Sequence, residues 1–223
     1  MKNEYSIRNL KYKYRFFFTL DYLLKKIGIT FITLYIYSIK LDDFVFEGPK
    51  NDDITIKECT VDDLDKFGKL KDLFLSDMGN GHTLIGAFLD HQWIGYLWIS
   101  FKPVEVEEVD RFIHFDGAYL YRAHVKEEYR QRGIYKRMLQ FSLNQIKNKY
   151  KKDMVYGIIE TSNIPSIKGV EMLNFSRIGT IKYSRIFLWK KYEEKIENNK
   201  TVYLKENNNA LNYLALLNSD KEV

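Results

Sequence analysis

The sequence predicts an α+β domain of mixed α/β content. Three observations carry that class. From about Asp53 to Trp189, short runs with alternating apolar residues are interleaved with runs whose apolar residues recur every three or four positions. Of the 223 residues, 45% are hydrophobic, enough to bury one full core. An arginine-flanked glycine turn, "YRQRGIY", opens the strongest helical run.

The first forty residues differ from the rest. They hold eight Lys/Arg against Glu4 and Asp21, a net of +6, so with a total of +5 the remaining chain carries −1. A basic footprint for DNA or RNA across the domain is absent, and no nucleic-acid partner is expected. Phe16, Phe17, Leu20, Leu23 and Leu24 fall at helical spacings among lysines and arginines, which predicts an amphipathic helix. Whether it packs on the domain or touches anionic lipid is left open by the pattern. The apolar run Ile27 to Ile39 is shorter than a spanning helix needs and contains Gly28, Thr30, Thr33 and Ser38. It is expected to be a strand buried on both faces, and neither a transmembrane segment nor a signal peptide.

The remaining elements follow in order. "DITIKECT" alternates as a strand and stops at Thr60, which is placed to cap a helix over "TVDDLDKF" with Asp62 and Asp63 in its first turn. "GNGHTLIGAFLDHQWIGYLWISF" predicts a hairpin turning at Asp90-His91-Gln92. "VEEVDRFIHFDG" is expected to be a polar-flanked connector, and "AYLYRAHV" a strand. After Gly133, Ile134, Met138, Leu139, Phe141, Leu143 and Ile146 make a wide apolar helix face suited to lying on the sheet. "DMVYGIIET" predicts a strand and "NIPSIKGVEMLNF" a short helix ended by Asn174 in a left-handed conformation. "SRIGTIKYSRIFLWKKY" predicts one or two closing strands. The Asn-, Lys- and Glu-rich end, with the apolar island "ALNYLALL", is expected to be a loosely held extension with a terminal helix.

Two kinds of chemistry find no support. The lone Cys59 excludes an intramolecular disulfide and fits a reducing, cytoplasmic setting. His82, His91, His114 and His124 show no metal-ligand spacing, so no metal is expected. The turn from Arg130 to Tyr135 is different. It exposes backbone N–H groups at a helix N-terminus among Arg130, Arg132, Lys136 and Arg137, an arrangement suited to a pyrophosphate.

In its order of elements, and in three stretches, the chain resembles the GCN5-related N-acetyltransferase (GNAT) superfamily from about Ile54 to Trp189. "VKEEYRQRGIYKRML" is similar to the family's acyl-CoA loop, Q/R-x-x-G-x-G/A, with Arg130, Gln131, Arg132 and Gly133 in register. "TSNIPSIKGVEMLNF" is similar to its N-x-x-A/S…L-G-F segment through Asn163, Ser166, Leu173, Asn174 and Phe175. "TLIGAFLDHQWIGYLWIS" matches the preceding hairpin, including Gly95.

The resemblance implies a central, mostly antiparallel twisted sheet, splayed between its fourth and fifth core strands and flanked by helices, here with an added N-terminal helix-strand segment. It implies acetyl-CoA as acyl donor in that gap. Val125 would offer backbone groups to the pantetheine; the amides of Gln131, Arg132, Gly133, Ile134 and Tyr135, with the Arg130 and Arg132 side chains, would hold the pyrophosphate. Asn163 and Ser166 would line the sulfur end. The chain departs from the pattern twice. Tyr135 stands where the loop usually ends in Gly or Ala, and its ring either crowds the phosphates or points outward. Val170 stands where many members place a tyrosine that protonates the thiolate. Glu160 is the expected general base, two residues beyond the family's glutamate position and on the same strand face; Tyr119, where other members hold a glutamate, is the second catalytic candidate.

The expected organisation is an N-terminal extension over 1–50, an acyl-CoA-binding catalytic domain over 51–190 and a C-terminal extension over 191–223. The expected activity is acetyl transfer to a primary amine by direct attack in a ternary complex. The acceptor, whether small amine, amino sugar or peptide, and the oligomeric state are left open. Two alternatives stand beside it: a non-catalytic acyl-CoA-binding module, and a transferase working at a membrane or polymer surface through the basic N-terminus.

Overall fold

The computed structural model describes residues 24, 27–42, 44, 53–106, 109, 111–196 and 202–206. Eleven strands and three α-helices are formed among them: β1 (Ile29–Lys40), β2 (Ile54–Glu58), α1 (Lys71–Gly79), β3 (Thr83–Leu89), β4 (Gln92–Ser100), β5 (Val104–Val106), β6 (Arg111–Phe115), β7 (Ala118–Val125), α2 (Ile134–Asn148), β8 (Met154–Glu160), α3 (Ile164–Glu171), β9 (Ser176–Ile186), β10 (Trp189–Ile196) and β11 (Val202–Glu206). Eight strands make one sheet in the order β10-β9-β1-β8-β7-β4-β3-β2, antiparallel except where β7 meets β8. This is the α+β class the sequence predicts.

Local chemistry explains most elements. The β3–β4 hairpin closes with Leu89 opposite Gln92, and Asp90 and His91 take φ of 48° and 65°, the left-handed pair of a two-residue turn. The residues after Thr60 form a 3-10 helix, Val61–Leu70, rather than an extended α-helix. Gly68 at φ 58° breaks it, and α1 starts afresh at Lys71. Helix α2 buries Ile134, Met138, Leu139, Leu143 and Ile146 against the sheet.

The expected connector after β4 is a correction. Residues 106–117, expected as that connector, hold β6 and the end of β5, and both strands join β11 in a second, three-stranded sheet. Val104, Val106, Ile113 and Phe115 are buried, and the Phe115 ring stacks on Tyr156 at 4.5 Å. The alternation there spans only three to five residues and is interrupted by Glu and Asp, so its period is hard to detect locally.

Strand β1 has the largest effect on architecture. It lies inside the sheet, with Leu34 opposite Glu160 of β8 on one side and opposite Ile181 of β9 on the other. Tyr37 donates a hydrogen bond to Glu171 of α3 at 3.0 Å. The expected N-terminal amphipathic helix, apart from Leu24, and the island at 210–217 lie outside the described residues. Among the described residues no helix is long and apolar enough to cross a membrane.

Candidate active site

The site begins where the sheet comes apart. Parallel pairing of β7 with β8 lasts three rungs, Ala118↔Val155, Tyr119↔Tyr156 and Leu120↔Gly157. Beyond them β8 follows β1 to Glu160, while β7 follows β4 to Val125. A register shift opposite Tyr96–Trp98, with Arg122 at φ 46°, bends β7 in the same stretch. Two strands held by their outer neighbours thus diverge and turn their facing backbone edges toward a cleft of ≈ 320 Å³.

Residues from seven elements line it, Leu97 of β4 among them. Strand β7 supplies Tyr119 to Ala123, β8 supplies Gly157 to Glu160, α3 supplies Asn163, Ser166 and Val170, and α2 supplies Tyr135 and Leu139. Leu34 of β1 and Glu105 of β5 complete the wall. Asn163 has a structural task as well: its side chain caps α3 by accepting from the Ser166 N–H at 3.3 Å.

The arginine turn lies on the chain directly ahead of α2. Arg130 Nε donates to the Val125 carbonyl at 3.1 Å, which engages that carbonyl internally. Gln131 and Gly133 both take positive φ, 65° and 74°. Left-handed residues in such a turn direct successive N–H groups to one side, forming an anion-binding concavity. The first intrahelical bond runs from Arg137 N–H to Gly133 O at 3.1 Å, so the amides of Ile134, Tyr135 and Lys136 precede it. A Cβ at Gly133 would meet nothing within 4 Å; backbone conformation, not crowding, calls for glycine there. Arg130, Gln131, Arg132 and Gly133 are exposed, with the Arg132 guanidinium over the Tyr129 ring at 5.4 Å. Open space, convergent amides and two cations fit a pyrophosphate.

Tyr135 takes neither expected pose. Its ring crosses from α2 to α3 and lies against Gly169, where a Cβ would stand 2.4 Å from the ring. Burial pushes its phenol up to about 12, opposed by a hydrogen bond with Ser166. A hydroxyl therefore reaches the helix whose own position 170 is Val, 4% exposed.

The other end of the cleft is aromatic and charged. Tyr119 is buried, with its ring parallel to Tyr121 at 5.6 Å and tilted on Phe115 at 5.2 Å. The Tyr121 hydroxyl contacts His82 Nδ1. Burial, then Asp77, raises the Tyr121 phenol, and burial lowers the His82 imidazole, so both are neutral at pH 7. Arg122 pairs with Asp77 at 2.8 Å. Glu160 is exposed at the end of β8, and its carbonyl accepts from Asn163 N–H at 2.9 Å.

Glu160, Tyr119, Tyr135, Asn163 and Ser166 thus share one cleft, and Val125 with the turn from Arg130 to Ile134 follows from the same strand. Sequence reasoning did not find Glu105, Arg122 or Leu34. Glu105 sits in a three-residue strand, and Leu34 arrives from an element 126 residues before Glu160, so neither leaves a local signal.

The comparisons with known proteins agree with this geometry. Residues 36–175 match the model of the acetyltransferase (GNAT) family. An N-alpha-acetyltransferase from Saccharolobus solfataricus is 26% identical over 149 residues, covering 61% of this chain and 88% of the relative. A protein from the GNAT family of Novosphingobium aromaticivorans superposes with a TM-score of 0.50 at 14% identity, over 71% of this chain and 65% of that one. A Drosophila protein does so with 0.52 at 12% identity, over 73% and 54%. The chain therefore spans less than two thirds of these two structures, and the likeness to them concerns the fold. The family match covers most of the chain, including the cleft apart from Leu34, the arginine turn and α3, and this chain belongs to the GNAT acetyltransferase family.

Proposed function

We propose that this N-acetyltransferase moves the acetyl group of acetyl-CoA to a primary amine by direct attack within a ternary complex. The observation that carries the reading is the cleft opened between β7 and β8, with an anion-binding turn at the head of α2 and a carboxylate at the end of β8. The turn from Arg130 to Tyr135 would hold the pyrophosphate, and the edges of the parted strands, with Asn163 and Ser166, the pantetheine. The acceptor ammonium first passes a proton to solvent water; the free amine nitrogen then attacks the thioester carbon, and Glu160 takes the proton that the new C–N bond makes acidic. N–H groups on the open edge of β7 stabilise the oxyanion. The C–S bond then breaks, and the thiolate takes a proton from the Tyr135 phenol, which substitutes for the donor absent at Val170. Tyr119 shapes the acceptor side beside Tyr121.

Glu105 and Glu160 line the cleft together with Arg122, whose charge is met by Asp77 at 2.8 Å, and this balance favours an acceptor that arrives as a cation. The S. solfataricus relative is named for acetylating α-amines, which puts a polypeptide N-terminus among the acceptor classes. We assign the catalytic unit to residues 51–190, completed by Leu34 of β1, and the setting to the cytoplasm. There the Cys59 thiol, pushed up to about 12 by burial and then by Asp63, stays protonated.

The experiment is calorimetric titration with CoA, followed by incubation with acetyl-CoA and a library of small amines and peptides while free thiol is read. Binding with amine-dependent thiol release is expected. Binding with no thiol release from any amine would reduce the protein to an acyl-CoA carrier.

A further inference from the structure

The β9–β10 hairpin ends in four large apolar residues that the transfer reaction does not use. Ile186, Phe187, Leu188 and Trp189 are 45%, 64%, 94% and 85% exposed, and Ile27 and Phe31 beside them are 56% and 60% exposed. The group is contiguous. Ile186 pairs with both Ile29 and Trp189, and Phe187 N–H donates to Gly28 O at 2.8 Å. Strand alternation puts Phe31, Ile186 and Trp189 on one face. Water-facing clusters of this kind mark surfaces that are covered in use.

The charge around the tip identifies the cover. Around the tip, from Lys182 to Glu194, Lys182, Arg185, Lys190 and Lys191 outnumber Glu193 and Glu194, a net of +2; Lys191 pairs with Glu193 at 2.6 Å, and the positions nearest the apex, Arg185 and Lys190, are both cationic. Aliphatic and aromatic side chains at the apex, an indole at the rim and cations behind them match the layers of an anionic bilayer surface: acyl boundary, headgroup level and phosphates. We propose that the β9–β10 tip, with the start of β1, inserts into the surface of an anionic lipid bilayer. Covering by the segment that precedes β1 is disfavoured, because residues 1–26 carry a net of +5 and would crowd like charge onto a basic tip. A second copy would do the same. At a lipid surface, by contrast, the basic segment and the tip act together.

The fold also orients the cleft. Glu160 lies opposite Leu34, and Ile29, at the tip, is five residues further along β1. At strand rise that is about 17 Å beyond the end of β8. Since β7 and β8 part at this same end, the seated tip turns the mouth of the cleft toward the headgroups.

The test uses the full chain and vesicles of phosphatidylcholine with or without phosphatidylglycerol. Wild type sediments with the anionic vesicles and is released by salt. Its tryptophan emission shifts to the blue and is quenched by lipids brominated on the acyl chain. Of the three tryptophans, Trp98 is buried and Trp93 half-buried, so Trp189→Phe removes the shift. The double variant Leu188→Glu, Trp189→Glu partitions at least about tenfold less, with its thermal unfolding unchanged. Three outcomes overturn the proposal: wild type left in the supernatant with anionic vesicles, a double variant that sediments like wild type, and a dimer in velocity sedimentation that Leu188→Glu dissolves.

Discussion

At the scale of single residues, the transfer reading makes Glu160 and Tyr135 the two ends of a proton path, and they fail differently. Glu160→Gln keeps the shape but cannot accept the amine proton. We expect kcat at neutral pH to fall about 10²–10⁴-fold with acetyl-CoA affinity nearly unchanged, and the ascending limb of the pH–rate profile to vanish or move. A mutant that keeps both its rate and that limb would return Glu160 to a structural role. Tyr135→Phe tests the donor. Burial holds this phenol protonated to about pH 12, so it has its proton throughout the working range. Removing the hydroxyl should lower kcat about tenfold or more for acetyl-CoA, and less for a thioester whose thiol is more acidic and leaves unaided. Equal losses with both donors would rule the role out. That Tyr135 lies near the glycine turn was visible in the sequence; that it crosses to Gly169 was not, because the contact joins two helices 34 positions apart.

Elements carry predictions about stability. Asp63 ties β2 to the 3-10 helix: its carboxylate accepts from Lys57 at 2.7 Å, Lys66 at 2.8 Å and Thr60 N–H at 3.2 Å. Burial pushes the carboxyl up, but these hydrogen bonds outweigh it and hold it well below the usual carboxylate range. A depressed carboxylate stabilises the fold at pH values above its unfolded value, near 4, and loses that contribution as pH falls further. Asp63→Asn should therefore cost about 2 kcal/mol at neutral pH in denaturant titrations, with the gap to wild type closing below about pH 4. On α3, Gly169→Ala should destabilise although alanine gains about 1 kcal/mol of helix propensity, because its Cβ meets the Tyr135 ring. Combining it with Tyr135→Ala should restore the gain in thermal melts; a stabilised single variant would mean that the ring moves aside freely. Strands and helices whose period extends over seven residues or more were legible in the sequence: α2, the β3–β4 hairpin and β8. The three residues of β5 and the five of β6 were not: β2 is as short as β6, but its alternation runs on to the cap at Thr60, whereas β5 and β6 are separated by Glu and Asp and read as a loop.

At the scale of the whole molecule, the run Ile27 to Ile39 was legible as a strand, which the structure places at Ile29–Lys40, but the strands it joins were not. Hydrophobic alternation records burial, and the identity of a partner more than a hundred residues away leaves no trace in it. Its position between β8 and β9 gives the prediction at this scale. Removing residues 1–40 should yield insoluble or molten protein, since β8 and β9 would each lose a neighbour. Removing residues 1–23 should leave a cooperative thermal transition and intact CoA binding. A soluble, CoA-binding protein that starts at Leu41 would show that the sheet closes without β1.

The central place of β1 also sets an order of events during synthesis. This strand leaves the ribosome before either of its partners exists, and Ile186, which pairs with Ile29, follows it by 157 residues. Glu160 of β8 follows its partner Leu34 by 126 residues, so at translation speeds of about 5–20 residues per second β1 waits roughly 6–25 s with both edges open, and longer with one. Its apolar residues must be shielded meanwhile by a chaperone or by local collapse. Because the cleft wall joins Leu34 to Glu160, Val170 and Phe175, the site is complete only after those later residues have been made and β1 has been kept available for them.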